Sequence, residues 1–299
     1  MLSAHFDEIG FVVKSVTNDG YIKFISIGRL LEQSLIAKRV RILTDCGEIL
    51  GVVSSKPVHF VNPVDSKKMV TINDMFIDIG ANNKEEVFEK FKVEVGQSIV
   101  FDSEFSEFNG EDLFVAKAFD NRLSVAMTIQ VANELDKISH PNIVFCGSTV
   151  QEEVRGRGAY SASNLVNPDL AIVLEGVPAD DFPGSSKEFQ QGAIGKGVQI
   201  RVMDSSAIMS KRFNKFIISI AKEMSIPYQI CVRESGGTDA SMINTNNLGV
   251  PVVVLGVPVR YTHTANSIIN IKDYFYEYDL IIEIIKRIDE DVYKNFVTY

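Results

Sequence analysis

The chain has 299 residues, 45% of them hydrophobic and 23% charged, with 20 glycines and 9 prolines. That composition belongs to an ordered globular protein of two domains or one large one, and it excludes disordered, collagen-like and low-complexity chains. The net charge of −9 argues against nucleic acid or an anionic membrane as partner, and no apolar run approaches the ~20 residues a membrane helix needs. The opening MLSAHFDEIG lacks a basic n-region and an apolar h-region. Cys46, Cys146 and Cys231 have no CxxC spacing and read as small buried hydrophobes. A soluble, cytoplasmic protein is the expectation.

Up to about residue 115, short β-branched and aromatic runs alternate with turn signals. Ile9 to Val16 is followed by Asn18-Asp19-Gly20 and Tyr21 to Ile27. Further runs are Arg39 to Thr44, Ile49 to Val53, Met75 to Ile79 and Ser98 to Asp102. Strands so spaced predict a small β-barrel or sandwich, interrupted by one short helix over Lys84 to Phe91. Pro57, Pro63, Asp65 and Lys67-Lys68 mark a polar connecting loop. After 115, strands alternate with longer helices. Leu123, Ala126, Ile129 and Ala132 give a helix over Arg122 to Leu135 its apolar positions. Ile143 to Val150 is a strand, Gly158 to Leu165 a short helix, and Leu170 to Leu174 and Val198 to Val202 are strands. A helix follows with Phe213, Phe216, Ile217, Ile220, Ala221 and Met224 on one face. Val252 to Leu255 reads as a strand covered on both faces. The last helix, Asp273 to Ile288, uses Phe275, Tyr278, Ile281, Ile282, Ile285 and Ile288. The fold class is therefore α/β, a mostly parallel central sheet flanked by helices, joined to a small β-rich unit.

Sites in open α/β sheets lie just past the carboxyl ends of strands. Here His5-Phe6-Asp7 follows Leu2-Ser3-Ala4, and Asp120 follows Phe114 to Ala118. Glu152-Glu153 follows Ile143 to Val150, Glu175 follows Leu170 to Leu174, and Tyr261-Thr262-His263 ends the loop after Val252 to Leu255. Each residue alone has a bland alternative: a surface histidine for His5, a helix N-cap for Asp120, a solvated turn for Glu152-Glu153, a loop histidine for His263. Five such ends on one sheet edge are a pattern. Carboxylates and imidazoles gathered together repel unless cations neutralise them, and His with carboxylate suits zinc, cobalt or manganese. A shared carboxylate suits two cations ~3.5–4 Å apart, and a Glu-Glu pair lets one residue ligate while the other takes a proton. The chemistry so indicated is metal-assisted hydrolysis. His59 and His140 have no acidic neighbours in sequence and read as loop residues. Gly236-Gly237-Thr238-Asp239 resembles an anion-accepting glycine loop, although Asp239 opposes phosphate.

As a set, AHFDEIGF (4–11), KAFDNR (117–122), VQEEVRGRGA (150–159), LEGVPADDFPG (174–184), GGTDA (236–240) and PVRYTH (258–263) resemble metallopeptidase family 42, the glutamyl and deblocking aminopeptidases, some once labelled endoglucanases. The resemblance spans nearly the whole chain, with the motifs in family order. It implies a catalytic α/β domain with an inserted β-barrel: residues 1–5 a catalytic strand, 6–115 the inserted oligomerisation barrel, 116–299 the dinuclear catalytic domain. It implies two divalent metal ions per subunit, zinc or cobalt with manganese as a further candidate. Asp120 would bridge them, His5 and Glu175 would complete one site, and Glu153 and His263 the other. Glu152 would be the general base acting on a metal-bridging water, and Asp7 would orient His5. Many relatives carry Asp where Glu175 stands; a subgroup carries Glu. Gly236, Gly237, Thr238, Asp239 and Arg260, with Arg233, would line the substrate pocket. The partners implied are peptide substrates and further copies of the chain, up to a dodecamer.

Family members have several dozen residues before the AHFDEIGF-like motif, whereas Met1 stands four positions before His5. A terminal segment frays unless tied down, so a start upstream or a truncated product is expected. The expected activity is hydrolysis of N-terminal residues from peptides. Its rivals are a weakly active or inactive assembly or peptide-binding homologue and a metal-independent glycoside hydrolase using paired carboxylates.

Overall fold

The computed structural model describes residues 1–62 and 68–297; Pro63, Asp65 and Lys67 of the expected loop lie outside them. The chain divides into two compact units, the first of Met1–Glu8, Phe105–Thr262 and Ser267–Tyr299, the second of Ile9–Glu104 and His263–Asn266. Strand β1 (Leu2–His5) opens the first unit. The second unit then holds β2 (Gly10–Val16), β3 (Ile22–Ile27), β4 (Arg39–Thr44), β5 (Gly47–Ser54), β6 (Phe76–Asp78), α1 (Lys84–Glu89) and β7 (Ser98–Phe101). The first unit resumes with β8 (Ser106–Glu107), β9 (Leu113–Ala116), α2 (Phe119–Leu135), β10 (Cys146–Thr149), α3 (Arg157–Val166) and β11 (Ala171–Pro178). It continues through β12 (Val198–Met203), α4 (Lys211–Glu223), β13 (Tyr228–Val232), α5 (Ala240–Asn244), β14 (Val252–Arg260), β15 (Ser267–Asn270), α6 (Ile271–Arg287) and α7 (Glu290–Val297).

The second unit is a closed barrel in the order β2-β3-β6-β5-β4-β7, with β7 pairing back onto β2. Alternate residues of its strands point inward: Phe11 and Val13, Ile22 and Phe24, Val40 and Ile42, Ile99 and Phe101 are all buried. Phe11 meets Phe24 and Phe101 edge-on at 5.2 and 5.4 Å, the arrangement the ring quadrupole favours. The outward Cys46, in the β4–β5 turn, is exposed, so the expectation that all three cysteines are buried fails there; Cys231 is buried.

The first unit carries a sheet ordered β10-β1-β11-β14-β15-β9-β8, with β12 pairing β14 and β13. The β10, β1, β11 and β14 ladder is parallel. The other side is antiparallel, because β14, β15, β9 and β8 join antiparallel in turn. Strands β11 and β14 are buried along nearly their whole length, as their apolar runs require. The expected domain limit at 115 cuts off β9, which pairs with β15 in this sheet; the division falls at 104/105 instead.

Strand β1 is tied down on both sides. It pairs with β10 on one side and β11 on the other, the Met1 amine donates to the Leu170 carbonyl at 2.8 Å, and Ile172 N donates to the Met1 carbonyl at 2.9 Å. Helix α2 turns a different face inward from the one its apolar spacing suggests. In α2 the buried positions include Ser124, Val125, Thr128 and Val131, while Ile129 is exposed. Thr128 donates its hydroxyl to the Ser124 carbonyl, so a polar side chain is buried with its bond made inside the helix. In α6 the expected Ile281 and Ile285 are buried, joined by Asp273, Tyr274, Glu277 and Leu280, while the expected Phe275 is exposed.

Candidate metal centre and active site

His5 ends β1, Thr149 ends β10, and the parallel register sets these two residues side by side. The chain leaves β10 through Gln151 in the left-handed region (φ 61°) and turns sharply back. Arg155 and Gly156 N both donate to the Glu152 carbonyl at 2.9 Å, and Gly158 N donates to Val150 O at 2.9 Å. A Cβ on Gly158 would stand 2.3 Å from that oxygen, so only glycine lets the loop close. Glu152 and Glu153 ride on this closed loop. Both of their amides donate to the Asp7 carboxylate, at 3.1 and 3.2 Å.

Asp120 is not the N-cap its sequence position suggested. Ala118 (φ 57°) precedes α2, and Asp120 and Asn121, joined by a cis peptide, have non-helical dihedrals. Asn121 Nδ2 donates to the Leu174 carbonyl at 2.8 Å, which ties this segment to β11. Glu175 lies within β11 rather than after it. Beside it, Gly176 has no side chain to push the segment away: a Cβ there would be 2.7 Å from Phe119 O and 2.9 Å from Asp120 Cα.

The result is one imidazole ringed by carboxylates. His5 is 1% exposed. Its Nε2 lies 3.2 Å from Asp120 Oδ1, 3.4 Å from Glu175 Oε2 and 3.8 Å from Glu152 Oε2. Its Nδ1 lies 2.9 Å from the main-chain carbonyl of Asp7. A carbonyl only accepts, so Nδ1 carries a proton and Nε2 faces the carboxylates. The contact with Asp7 expected of its side chain is thus made at bonding distance by its main chain; the carboxylate is 3.6 Å from Nδ1 and holds the Glu152-Glu153 amides.

The electrostatics follow from burial. Burial alone would lower the His5 pKa, but the carboxylates of Glu175, Asp120 and Asp7 outweigh it and hold it well above its ordinary value. Glu152 is pushed up by burial and by the Glu175 charge. Glu175 is pushed up by burial, against the pull of His5. Glu175 Oε1 is buried with no hydrogen-bond partner among the described residues. A cation reverses each of these costs, and the donor set fits one. Single ligand atoms of His5, Asp120 and Glu175 lie within 4.8 Å of one another, as do those of His5, Glu152 and Glu153. Imidazole with carboxylate is a donor set for zinc, cobalt or manganese.

His263 belongs to the second unit, where its Nδ1 bonds the Arg29 carbonyl. Gly236 and Gly237 are exposed, Gly236 at φ 83°, whereas Thr238 and Asp239 are buried. Asp239 accepts the Thr149 hydroxyl. Arg260 is engaged by both oxygens of Asp181, at 2.8 and 2.6 Å. Arg233 bonds Asp180 at 2.9 Å and the Pro178 carbonyl at 2.9 Å. Both arginines therefore brace the segment that follows β11. Sequence reasoning passed over Thr149, Asn121 and Gly176, none of which has a chemistry that marks it in isolation.

The profile of the M42 glutamyl aminopeptidase family matches residues 1–280. The TET aminopeptidase of the marine sediment archaeon Thaumarchaeota archaeon SCGC AB-539-E09 superposes with a TM-score of 0.96 at 38% identity, over 99% of this chain and 83% of that one. The Pyrococcus horikoshii TET1 peptidase, described as able to assemble into a tetrahedron or a large octahedral shell, gives 0.84 at 30% identity over 96% and 83%. The lysyl aminopeptidase of Pyrococcus furiosus is 30% identical over 275 residues, 91% of this chain and 77% of that protein. Motifs, fold and site geometry thus converge, and the chain belongs to the M42 glutamyl aminopeptidase family of peptide-bond hydrolases.

Proposed function

We propose that the protein is a metal-dependent aminopeptidase that removes N-terminal residues from peptides. The observation that carries this reading is the buried His5 ring with Nε2 directed at Asp120, Glu175 and Glu152. His5, Asp120, Glu175 and Glu153 would hold two divalent cations, with Asp120 shared; the family motif adds His263. Cations bound there supply positive charge that favours deprotonation of the attacking water and offsets the charge of the tetrahedral oxyanion. Glu152 takes the proton from that water and delivers it to the leaving amine nitrogen. Asp7 holds the Glu152 amide, and so the base, at a fixed place.

Glu152→Gln keeps the shape of the side chain and removes its basicity. It is expected to retain bound zinc or cobalt while kcat on aminoacyl anilides falls about 10²–10⁴-fold. Near-normal turnover in this variant would overturn the assignment of the base. Hydrolysis of glucans that survives a chelator would favour glycoside hydrolysis instead. The preferred N-terminal residue does not follow from kinship, because a relative named for lysine sits in a family described by glutamate.

We further propose that the protein works as a homo-oligomer. Support comes from the Pyrococcus horikoshii TET1 peptidase, described as able to assemble into a tetrahedron or a large octahedral shell.

A further inference from the structure

Asp239 is fully buried at the start of α5, and Thr149 is 3% exposed at the end of β10. The Thr149 hydroxyl donates to Asp239 Oδ2, although the two residues are 90 positions apart. The Thr149 carbonyl accepts Phe6 N at 2.8 Å, midway between His5 and Asp7. The next residues are the Glu152-Glu153 loop. Its return limb runs against the same aspartate: a Cβ on Gly156 would stand 3.0 Å from Met242 Cγ and 3.5 Å from Asp239 Oδ1. That Oδ1 is buried with no hydrogen-bond partner among the described residues. Three segments therefore meet at Thr149: the end of β1, the loop with both glutamates, and the glycine-rich turn at 236–239.

We propose that Asp239, acting through the Thr149 hydroxyl, is a positioning residue that fixes the root of the loop bearing Glu152 and Glu153. This rests on the peptidase reading of the site and reassigns Asp239 from the substrate-contacting role its motif suggested. With 0% of its surface exposed, it does not meet a peptide. Asp7 holds the tip of the loop by its amides, and Asp239 holds its base. Losing the second anchor frees rotation about the 149–150 junction, and a displacement of about 1 Å at a general base is enough to cost on the order of a hundredfold in rate.

The test is a double-mutant cycle on the metal-supplied enzyme, read by kcat and KM on aminoacyl anilides and by amide exchange of residues 152–156 without metal. Thr149→Val keeps shape and burial, and is expected to lower kcat roughly 10- to 100-fold with little change in KM, and to speed exchange at the Glu152 and Glu153 amides. Thr149→Ser restores the hydroxyl and is expected to return both readouts to near wild type. Asp239→Ala combined with Thr149→Val should be no worse than the more impaired single variant, because each removes the Thr149–Asp239 contact. Multiplying losses, or a Thr149→Val enzyme with wild-type kcat and exchange, would overturn the proposal. If Thr149→Val does not fold, Thr149→Ala replaces it in the same cycle. Glu152→Gln run alongside separates the two failures: if it keeps full turnover, the base assignment fails, whatever Thr149 does.

Discussion

Glu277 sits on the inward face of α6, fully buried, with both carboxyl oxygens lacking a hydrogen-bond partner among the described residues. Burial, then the charges of Glu175 and Asp273, hold its pKa well above the ordinary value of 4.5. The folded state therefore keeps a proton that the unfolded state gives up. Stability from this group is fully present below about pH 4.5 and is lost as pH rises toward the folded value, by at most about 1.4 kcal/mol per pH unit. Glu277→Gln cannot titrate. Relative to wild type, its unfolding free energy in denaturant titrations is expected to climb as pH is raised from about 5 upward. A difference that stays flat across that range would show that the carboxyl is not held protonated. The same acid explains why only part of the inward face of α6 was legible: Ile281 and Ile285 follow the apolar spacing, but a glutamate and an aspartate stand where periodicity looks for apolar residues.

Between β11 and α2 the controlling residue has no side chain. Gly176 lets Phe119 and Asp120 approach Glu175, and a methyl there would strike main-chain atoms that cannot swing aside. Gly176→Ala is expected to cost about 1–3 kcal/mol through overpacking. The displaced Asp120 should weaken zinc or cobalt binding roughly 10- to 100-fold, read by calorimetric titration. Wild-type affinity in that variant would mean that the approach of Asp120 to β11 does not set the site. The site was half legible at this scale. His5, Glu152 and Glu153 stand out because acidic or histidine residues directly follow apolar strand runs. The resemblance names Asp120 a bridging ligand, with a helix cap as its bland alternative; the left-handed Ala118 and the non-helical dihedrals at 120 and 121, which rule out the cap, leave no compositional trace. Thr149 was invisible for a related reason: its partner is 90 residues away.

For the whole molecule, the texture change near 115 announced two units but misplaced their border. Strands β8 and β9 are as short as those of the barrel, and only the long-range pairing of β9 with β15 assigns them to the other sheet. The return of His263–Asn266 to the second unit, with Ala265 in the barrel core, has no local signal at all. Each unit has its own buried cluster, so each can be probed by amide exchange in its own strands. Phe11→Ala empties the middle of the barrel core and is expected to cost about 3–5 kcal/mol, seen as faster exchange in β2, β3 and β7. The proposed ligands His5, Asp120, Glu153 and Glu175 belong to the first unit. At a hundredfold excess over Kd, binding stabilises the ion-holding state by about 2.7 kcal/mol. Amides of β1 and β11 that exchange only when the site opens should therefore slow roughly a hundredfold on adding zinc or cobalt. Exchange in β1 and β11 that ignores the ion would remove the metal centre from the proposed mechanism, because β1 carries His5 and β11 carries Glu175.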